Sequence, residues 1–309
     1  MKINNGIAKP RPIVTLTALA LAVTVAPSPA NAQEVINLTV GSSHPTTIPW
    51  VGMIPDVFIT TVNEILAEEG EYEINWTEAY AGQLYGANAT LTSVRDGIAD
   101  IGWVFSYLEP SRMPLAQMSA YTPFTTSDPE LMLDVWNDMI RNVPEFKAEW
   151  EEHDLVFLGA TASDSYDIYS DFPVDTLEDL DGARLSAPGV LGVWLDPVGA
   201  VPVDGTLASY YTDIQTGVSQ GVVGLATGNL PARIYEVAPY ITQVNMGVVF
   251  SGGLAINQWS WDGLPEPVQE ALMTERNEER GYPAQALLNS YMNAMRERGH
   301  EPERAWDQE

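Results

Sequence analysis

Short runs of alternating apolar and polar residues are interspersed with longer runs in which apolar residues recur at helical spacing. Ile36, Leu38 and Val40 lie on one face of an alternating run, which predicts a strand. Helical spacing predicts one helix from Pro55 onward, and the capping-box spacing of residues 127–130 predicts the start of another. Strands are predicted at residues 35–40, 72–76, 101–105 and 155–158, with helices between them. This alternation predicts an α/β fold with parallel strands.

The alternation begins again after Pro173. Strands at 185–187 and 201–203 flank a helix near 190–198, which predicts a second β-α-β unit. The two units lie on either side of residue 157, and the total of 309 residues also suits two domains. The last pattern, residues 266–298, predicts one or two long helices.

The N-terminus has the pattern of an export signal. Three basic residues precede position 12, an apolar run follows at 13–25, and Ala30 and Ala32 form a small-residue cleavage pattern. A membrane anchor is the alternative, but the apolar run is too short to span a bilayer and prolines interrupt it. We therefore expect residues 1–32 to be a signal peptide that is cleaved after Ala32, and the exported chain to have no stable membrane insertion.

Charge and cysteine content exclude several classes of function. The chain has 42 acidic and 14 basic residues, a net charge of −28, and loss of the signal segment would leave 11 basic residues and a net charge of −31. Such a chain lacks the basic surface that nucleic acid or an anionic membrane requires. With 45% apolar residues it can still bury a core, and with no cysteine it has no disulfide or thiolate site. The histidines are only three: His44, His153 and His300. We expect no cofactor and no metal.

Sequence motifs of common enzymes are absent. The chain has no G-x-S-x-G elbow, P-loop, H-E-x-x-H or dinucleotide-binding glycine spacing. Acidic pairs occur throughout a chain with 42 carboxylates, so a pair by itself indicates no catalytic site. We therefore expect a binding protein rather than an enzyme, with an exported carboxylate-dependent hydrolase as the alternative of another class.

Loops at the carboxyl ends of the predicted strands carry aromatic residues with polar tips. Two α/β lobes bind ligands in the crevice where such loops meet, and these side chains suit a small molecule that is part apolar and part polar. Core or hinge packing is the alternative for each of them. The predicted ligand-binding residues are His44, Trp50, Tyr80, Gln83, Tyr85, Trp103, Ser106, Tyr107, Tyr166, Ser186, Pro188 and Tyr211, with Phe105, Ser163 and Tyr210 in the same loops.

Six segments, in order along the chain, resemble the solute-binding proteins of tripartite ATP-independent periplasmic (TRAP) transporters, a family with a dicarboxylate-binding founding member. They are Ala81-Gly82-Gln83-Leu84, residues 97–102, residues 173–182, Tyr211 to Val218, residues 235–240 and residues 254–265. The resemblance implies a two-lobed periplasmic binding protein of type II-like α/β fold, with a ligand cleft between the lobes and long C-terminal helices. It implies a first lobe of 33–157 to which 246–309 return, and a second lobe of 158–245.

The resemblance also implies a function. The protein is expected to be a periplasmic, monomeric receptor whose lobes close on a small solute and which then docks on the membrane permease. In this family an arginine clamps the ligand carboxylate, and Ser186 stands at that position here. Arg184 falls two residues earlier, at a position expected to face solvent, and Tyr166 falls where a second basic residue is common.

The missing arginine leaves three kinds of ligand open. The first, which is the predicted one, is an organic or aromatic monocarboxylate held by His44, tyrosine hydroxyls and backbone N–H groups, and the other two are alternatives to it. The second is a neutral or zwitterionic solute enclosed by aromatic rings, and the third is a quaternary amine bound by cation–π contacts.

Overall fold

The computed structural model describes residues 33–273. The predicted signal peptide and the part of the predicted C-terminal helices beyond Met273 lie outside the described residues. The described residues form ten strands: β1 (Glu34–Gly41), β2 (Tyr72–Ala79), β3 (Ile101–Val104), β4 (Leu155–Ala162), β5 (Tyr166–Ser170), β6 (Arg184–Ala187), β7 (Val201–Asp204), β8 (Gly221–Leu225), β9 (Tyr240–Thr242) and β10 (Phe250–Asn257).

The helices of the described residues alternate with these strands. They are α1 (Pro49–Met53), α2 (Thr60–Glu69), α3 (Thr90–Arg95), α4 (Pro129–Asn142), α5 (Pro144–Glu151), α6 (Tyr210–Gln215), α7 (Ala226–Asn229), α8 (Gln258–Asp262) and α9 (Glu266–Leu272). A π-helical turn, Ile54–Ile59, joins α1 to α2, and 3₁₀ segments occur at Ala87–Ala89, Ser106–Leu108, Leu115–Tyr121, Leu177–Leu180, Gly189–Val198 and Ile234–Glu236.

The first sheet has the strand order β2-β1-β3-β10-β4. Strands β1, β2 and β3 run parallel, and β10 is inserted antiparallel between β3 and β4. The stretch from α1 to α2 and helix α9 cover one face, and α3, α4 and α5 cover the other. On the second face the rings of Trp136 and Phe250 stack with centroids 4.1 Å apart.

The second sheet has the strand order β7-β6-β8-β5-β9. Here β6 is parallel to β7 and β8, and β5 is antiparallel to β8 and β9. The α/β class is therefore confirmed. The strands predicted from the sequence run parallel within each sheet, β1 to β4 in the first and β6 with β7 in the second, and the antiparallel strands, β10 and β5, are ones that the sequence patterns did not predict. Strands β5 and β10 enter their sheets directly from the other sheet, without a crossover helix to impose the parallel direction.

The chain passes between the sheets twice, at residues 163–165 and 243–249, and the two passages are hydrogen-bonded to each other. Ser163 N donates to Val249 O at 3.0 Å, and Val249 N donates to Ser163 Oγ at 2.9 Å. Strand β4 belongs to the first sheet as far as Ala162, so the predicted boundary at residue 157 falls inside a strand. We propose that lobe I comprises 33–162 and 250–273, and that lobe II comprises 166–242.

Three predicted helices differ in the structure, two in where they begin and one in its type. The helix expected at Pro55 begins at Pro49, and Pro55 lies in the π-helical turn, where the wider hydrogen-bonding pattern accommodates a residue without an N–H. Asp128, within the predicted capping box, caps α4 by accepting from Glu130 N and Leu131 N at 3.0 and 3.2 Å. The helix expected at 190–198 is a 3₁₀ segment that contains Pro197.

One helical stretch of the described residues, Pro49–Glu69, is long and apolar enough to cross a membrane by length and composition alone. Its apolar side chains, among them Ile54, Phe58, Val62 and Leu66, are buried in the core of lobe I. The stretch is therefore a core helix of this lobe.

Candidate ligand-binding cleft

Two adjoining cavities, of about 30 and about 20 Å³, lie where the lobes face each other. Lobe I contributes His44, Trp50, Phe105 and Tyr107, and lobe II contributes Tyr166, Pro188 and Tyr210 together with Leu207, Leu225 and Asn229. The smaller cavity adds Thr161, Ala162, Ser163 and Ser251. Both lobes thus present aromatic rings to one enclosed space.

The rings are held in place by contacts with one another. His44 meets Phe105 edge to face with centroids 5.0 Å apart, and Phe105 meets Tyr107 in the same way at 6.0 Å. Tyr166 packs against Trp194 at 5.6 Å, in lobe II. Edge-to-face pairs of this kind fix ring orientation, so the aromatic wall of each lobe is held by contacts within that lobe.

Five of the residues predicted from the sequence lie together on these walls: His44, Trp50, Tyr107, Tyr166 and Pro188. Phe105, Ser163 and Tyr210, from the same predicted loops, lie beside them. The loops at the carboxyl ends of the strands therefore converge as the sequence reasoning anticipated.

The other predicted lobe I residues lie away from the two cavities. The hydroxyl of Tyr80 donates to Glu78 at 2.8 Å, and Gln83 is exposed. Tyr85 and Trp103 are buried within lobe I. Gly41 and Gly102 leave room for the ring of Tyr85. Ser106 is also buried, on the 3₁₀ turn that follows Phe105.

Two predicted lobe II residues have partners of their own. Ser186 is fully buried, and its hydroxyl donates to Ser219 Oγ at 2.9 Å. The hydroxyl of Tyr211 donates to Glu236 Oε2 at 2.9 Å, and its neighbour Tyr210 takes the place on the cavity wall. On the short helix α6, successive residues point in different directions, so only one of the two tyrosines reaches the cleft.

Sequence reasoning missed Asn229, the last residue of α7. Its side chain is buried and lines the larger cavity. The apolar run that forms β8, followed by Thr227 and Asn229, is the signal that could have revealed it, because polar residues just after a buried strand belong to the loop edge of a sheet.

The polar groups on the cavity walls are uncharged at neutral pH. Burial lowers the pKa of His44 to about 4, so its imidazole is neutral, and its Nδ1 lies 3.0 Å from Ser43 Oγ. Burial also raises the pKa values of Tyr166 and Tyr210 well above the ordinary value, which keeps their hydroxyls protonated.

The six Lys and Arg side chains of the described residues all lie elsewhere. Four form ion pairs: Arg95 with Asp96, Arg112 with Glu109, Lys147 with Glu151, and Arg233 with Glu236. Arg184 donates to the carbonyls of Val218 and Gly217 at 3.1 Å, and Arg141 donates to Leu158 O at 3.3 Å. No described cation lines either cavity of the cleft.

A buried carboxyl lies just behind the cleft. Asp164 accepts from Ala226 N at 2.8 Å and Thr227 N at 3.2 Å, and it also bonds the Thr227 hydroxyl. Burial raises its pKa to about 6 in spite of these bonds. Asp164 thus fixes the start of α7 and adds negative rather than positive charge to this region.

Within residues 33–273 no group of three or more His, Asp or Glu side chains could hold a metal ion. A cavity of about 470 Å³ lies outside the cleft, in an apolar groove between Phe124 of lobe I and Trp194 of lobe II. Its lining is mostly apolar, with Tyr121, Thr176 and Thr242 among its few polar side chains and no charged one, and it is more typical of a packing surface.

The sequence has relatives of known class. The DctP family model, described as bacterial extracellular solute-binding protein, family 7, matches residues 40–298. Solute-binding protein NAS141_03721 of Sulfitobacter sp. (strain NAS-14.1) is 25% identical over 230 residues, which cover 71% of this chain and 66% of that protein. The match thus spans just under two thirds of the relative's length.

Solved structures share the two-lobed fold. A TRAP periplasmic solute-binding protein from Desulfovibrio salexigens, in an open complex, has a TM-score of 0.69 at 23% identity and covers 88% of this chain and 83% of its own. DctP7 of Bordetella pertussis, a receptor binding pyroglutamic acid, has a TM-score of 0.73 at 19% identity. The match covers 87% of this chain and 88% of DctP7. A TRAP periplasmic solute-binding protein from Sulfitobacter sp. NAS-14.1 with bound β-D-galacturonate has a TM-score of 0.71 at 19% identity. The match covers 87% of this chain and 89% of that protein.

Proposed function

The chain belongs to family 7 of the bacterial extracellular solute-binding proteins and is a TRAP-type solute-binding protein, and on this premise we propose which solute it captures. The proposed role is that of an exported periplasmic receptor that encloses a small organic solute between its lobes and delivers it to the membrane permease. The proposed solute is neutral or zwitterionic. One observation carries the choice: aromatic rings from both lobes line the cleft, and no described Lys or Arg reaches it.

Desolvation disfavours an anionic solute in this cleft. A carboxylate that enters a closed cleft loses its water, and the cost is several kcal/mol unless a cation or several donors replace that water. His44 is neutral here, and the nearby Asp164 is a carboxyl, so neither group offsets the charge of an anion. A neutral solute avoids the cost, a zwitterion reduces it because its own cation offsets its carboxylate, and either gains contact area with Trp50, Phe105 and Tyr166.

Entry of the solute requires the lobes to part. Cavities of about 30 and 20 Å³ have room for one or two water molecules, and an organic solute of six or more heavy atoms needs more. The paired passages at 163–165 and 243–249 are the natural hinge, because they are the described covalent links between the sheets. We propose that solute binding closes the lobes about these passages.

A monocarboxylate is the second candidate. The B. pertussis DctP7 binds pyroglutamic acid and the Sulfitobacter protein was solved with galacturonate, and both compounds carry one carboxylate. In this chain such a group would depend on tyrosine hydroxyls and backbone N–H groups. The carboxylate-dependent hydrolase differs from both receptors, because it predicts turnover of the solute rather than stoichiometric binding.

A thermal-shift screen of the protein purified from the periplasm of an expressing host tests these alternatives. The probes are nicotinamide (neutral), ectoine and glycine betaine (zwitterionic), pyroglutamate and benzoate (monocarboxylates), and succinate. A bound probe at one hundred times its Kd adds about 2.7 kcal/mol to the free energy of unfolding. We expect shifts with the neutral or zwitterionic probes. Shifts with pyroglutamate, benzoate or succinate and with no other probe would overturn the proposed solute class. Chemical conversion of a probe would overturn the receptor role.

A further inference from the structure

The carboxamide of Asn229 is buried and has no hydrogen-bond partner among residues 33–273. Its side chain is 0% exposed, and neither Oδ1 nor Nδ2 is bonded within the described residues. Nearly all buried polar groups in proteins are hydrogen-bonded, because an unsatisfied one retains its full desolvation cost. Asn229 lines the larger cleft cavity together with Tyr166 and Tyr210 of lobe II and aromatic residues of lobe I. Its missing partner therefore belongs in the cleft.

The surrounding chain holds the amide in this place. Asn229 ends α7, whose first N–H groups are bonded to the buried Asp164. A Cβ atom at Gly224 would lie 2.5 Å from Asn229 Nδ2 and 3.1 Å from Oδ1, so only glycine at 224 leaves room for the amide. The φ of Gly224 does not require glycine, since it is absent from the positive-φ residues. Space for Asn229 thus accounts for this glycine.

We propose that Asn229 is the polar anchor of the solute and pairs with an uncharged group that both donates and accepts, such as a primary carboxamide, a lactam or a urea. The inference rests on the proposed receptor function and narrows it. An asparagine side chain offers one acceptor oxygen and an amino group with two donors, and a second amide satisfies both kinds of atom in a planar pair.

Other solute groups satisfy the amide less well. A carboxylate accepts from Nδ2 but faces Oδ1 with a second acceptor, and no described cation of the cleft compensates. A quaternary ammonium offers no N–H, so it leaves Oδ1 without a donor and Nδ2 without an acceptor. The aromatic walls would suit a carboxylate or a quaternary ammonium, so the pairing with Asn229 is what favours an amide over both.

The first experiment needs no solute. Asn229→Leu replaces an unpaired amide by an apolar side chain of similar size, so the melting temperature of the ligand-free protein should stay the same or rise. Replacing an asparagine whose side chain is bonded inside the protein would instead lower the melting temperature. A fall of several degrees would therefore overturn the proposal that Asn229 anchors the solute. Asn75→Leu, at an exposed asparagine of lobe I that is bonded to Asn37, is the matched control for the substitution itself.

The second experiment uses matched acid and amide probes in calorimetric titrations: nicotinamide with nicotinate, and pyroglutamamide with pyroglutamate. We expect at least one amide to bind tenfold or more tightly than its acid. Asn229→Leu should reduce this preference to within about twofold, and Asn75→Leu should retain it. Gly224→Ala should have the same effect as Asn229→Leu, because its Cβ displaces an otherwise unchanged amide.

The outcomes separate this inference from the receptor function. Acids that bind as tightly as their amides, or an amide preference that survives Asn229→Leu, would overturn the anchor while leaving a solute receptor. Failure of all four probes to bind would overturn the anchor in this form. Conversion of a probe to product, rather than binding, would overturn the receptor function itself.

Discussion

Replacing Asp167 by Asn should make the protein more stable at neutral pH. Asp167 lies on β5 just beyond the passage between the lobes, with a side chain that is 3% exposed. Its Oδ1 accepts from both Val244 N and Asn245 N, at 2.8 and 2.9 Å. Asparagine retains that oxygen, so Asp167→Asn removes the buried charge and keeps the bonds that join β5 to the returning chain.

The magnitude follows from the pKa. Desolvation raises the pKa of Asp167 from 3.8 to about 6, against the lowering effect of its two backbone bonds, and Asp164 adds a smaller raising effect. The folded protein therefore holds this proton at pH values where the unfolded chain has released it. Stability is lost as the pH rises from about 4 to about 6, and two pKa units correspond to at most about 3 kcal/mol.

Urea unfolding followed by tryptophan fluorescence, at pH 3.5, 5 and 7.5, measures this difference. Asp167→Asn and the wild type should be close in stability at pH 3.5, and the variant should gain up to about 3 kcal/mol by pH 7.5. Asp179→Asn is the control of opposite sign, since backbone and hydroxyl bonds with Thr176 lower the pKa of the exposed Asp179, and its stabilisation is present at pH 7.5 and lost in acid. A difference between wild type and Asp167→Asn that does not change with pH would show that the charge on buried Asp167 does not destabilise the folded protein.

Three further predictions concern the core and the cleft. Gly252 has a φ of +132°, and a Cβ atom there would press against Val104 O. Gly252→Ala should therefore lower the free energy of unfolding by about 2–4 kcal/mol in chemical denaturation. A loss below about 0.5 kcal/mol, which is typical of a neutral surface change, would contradict this close approach. Trp136→Ala removes a ring stacked on Phe250 and should cost about 3–5 kcal/mol in the same assay. Because the pKa of His44 is lowered to about 4, wild type should lose stability relative to His44→Gln only as the pH falls from 6.5 towards 4, and a loss above pH 7 in paired thermal melts would argue against a neutral imidazole.

The part of the fold that depends on local patterns could be predicted from the sequence. The alternating run of β1 and the capped start of α4 are both local signals, and both elements form close to the expected positions. Strand β10 carries no such signal, because Gly252 and Gly253 interrupt its apolar run. These glycines are needed because β3 and β4 approach its backbone closely, and such a long-range contact leaves no periodic trace in the sequence.

The candidate site could be predicted by loop and by residue type, but not by orientation. The aromatic loops after β1 and β3 do line the cleft, since the topology brings the carboxyl ends of parallel strands to one edge. The choice between Tyr210 and Tyr211 depends on the direction in which α6 packs, and tertiary contacts alone determine that direction. Asn229 on α7 was missed because the preceding strand, β8, reaches the cleft edge by pairing with β5 and β6 from distant parts of the sequence.

The departure at Ser186 and the amide of Asn229 belong to the same edge of lobe II. Ser186 on β6 is paired in register with Val222 on β8, and Gly224 follows two residues later on that strand. The hydroxyl pair of Ser186 and Ser219 is buried and closed, so the position at which the family resemblance implies a cationic clamp is occupied by neutral protein groups. One strand away, Gly224 opens the space into which Asn229 places a neutral donor and acceptor. A polar contact to the solute is therefore retained at this sheet edge while its charge is lost. That combination favours a solute recognised by amide-like hydrogen bonding over one recognised by its negative charge.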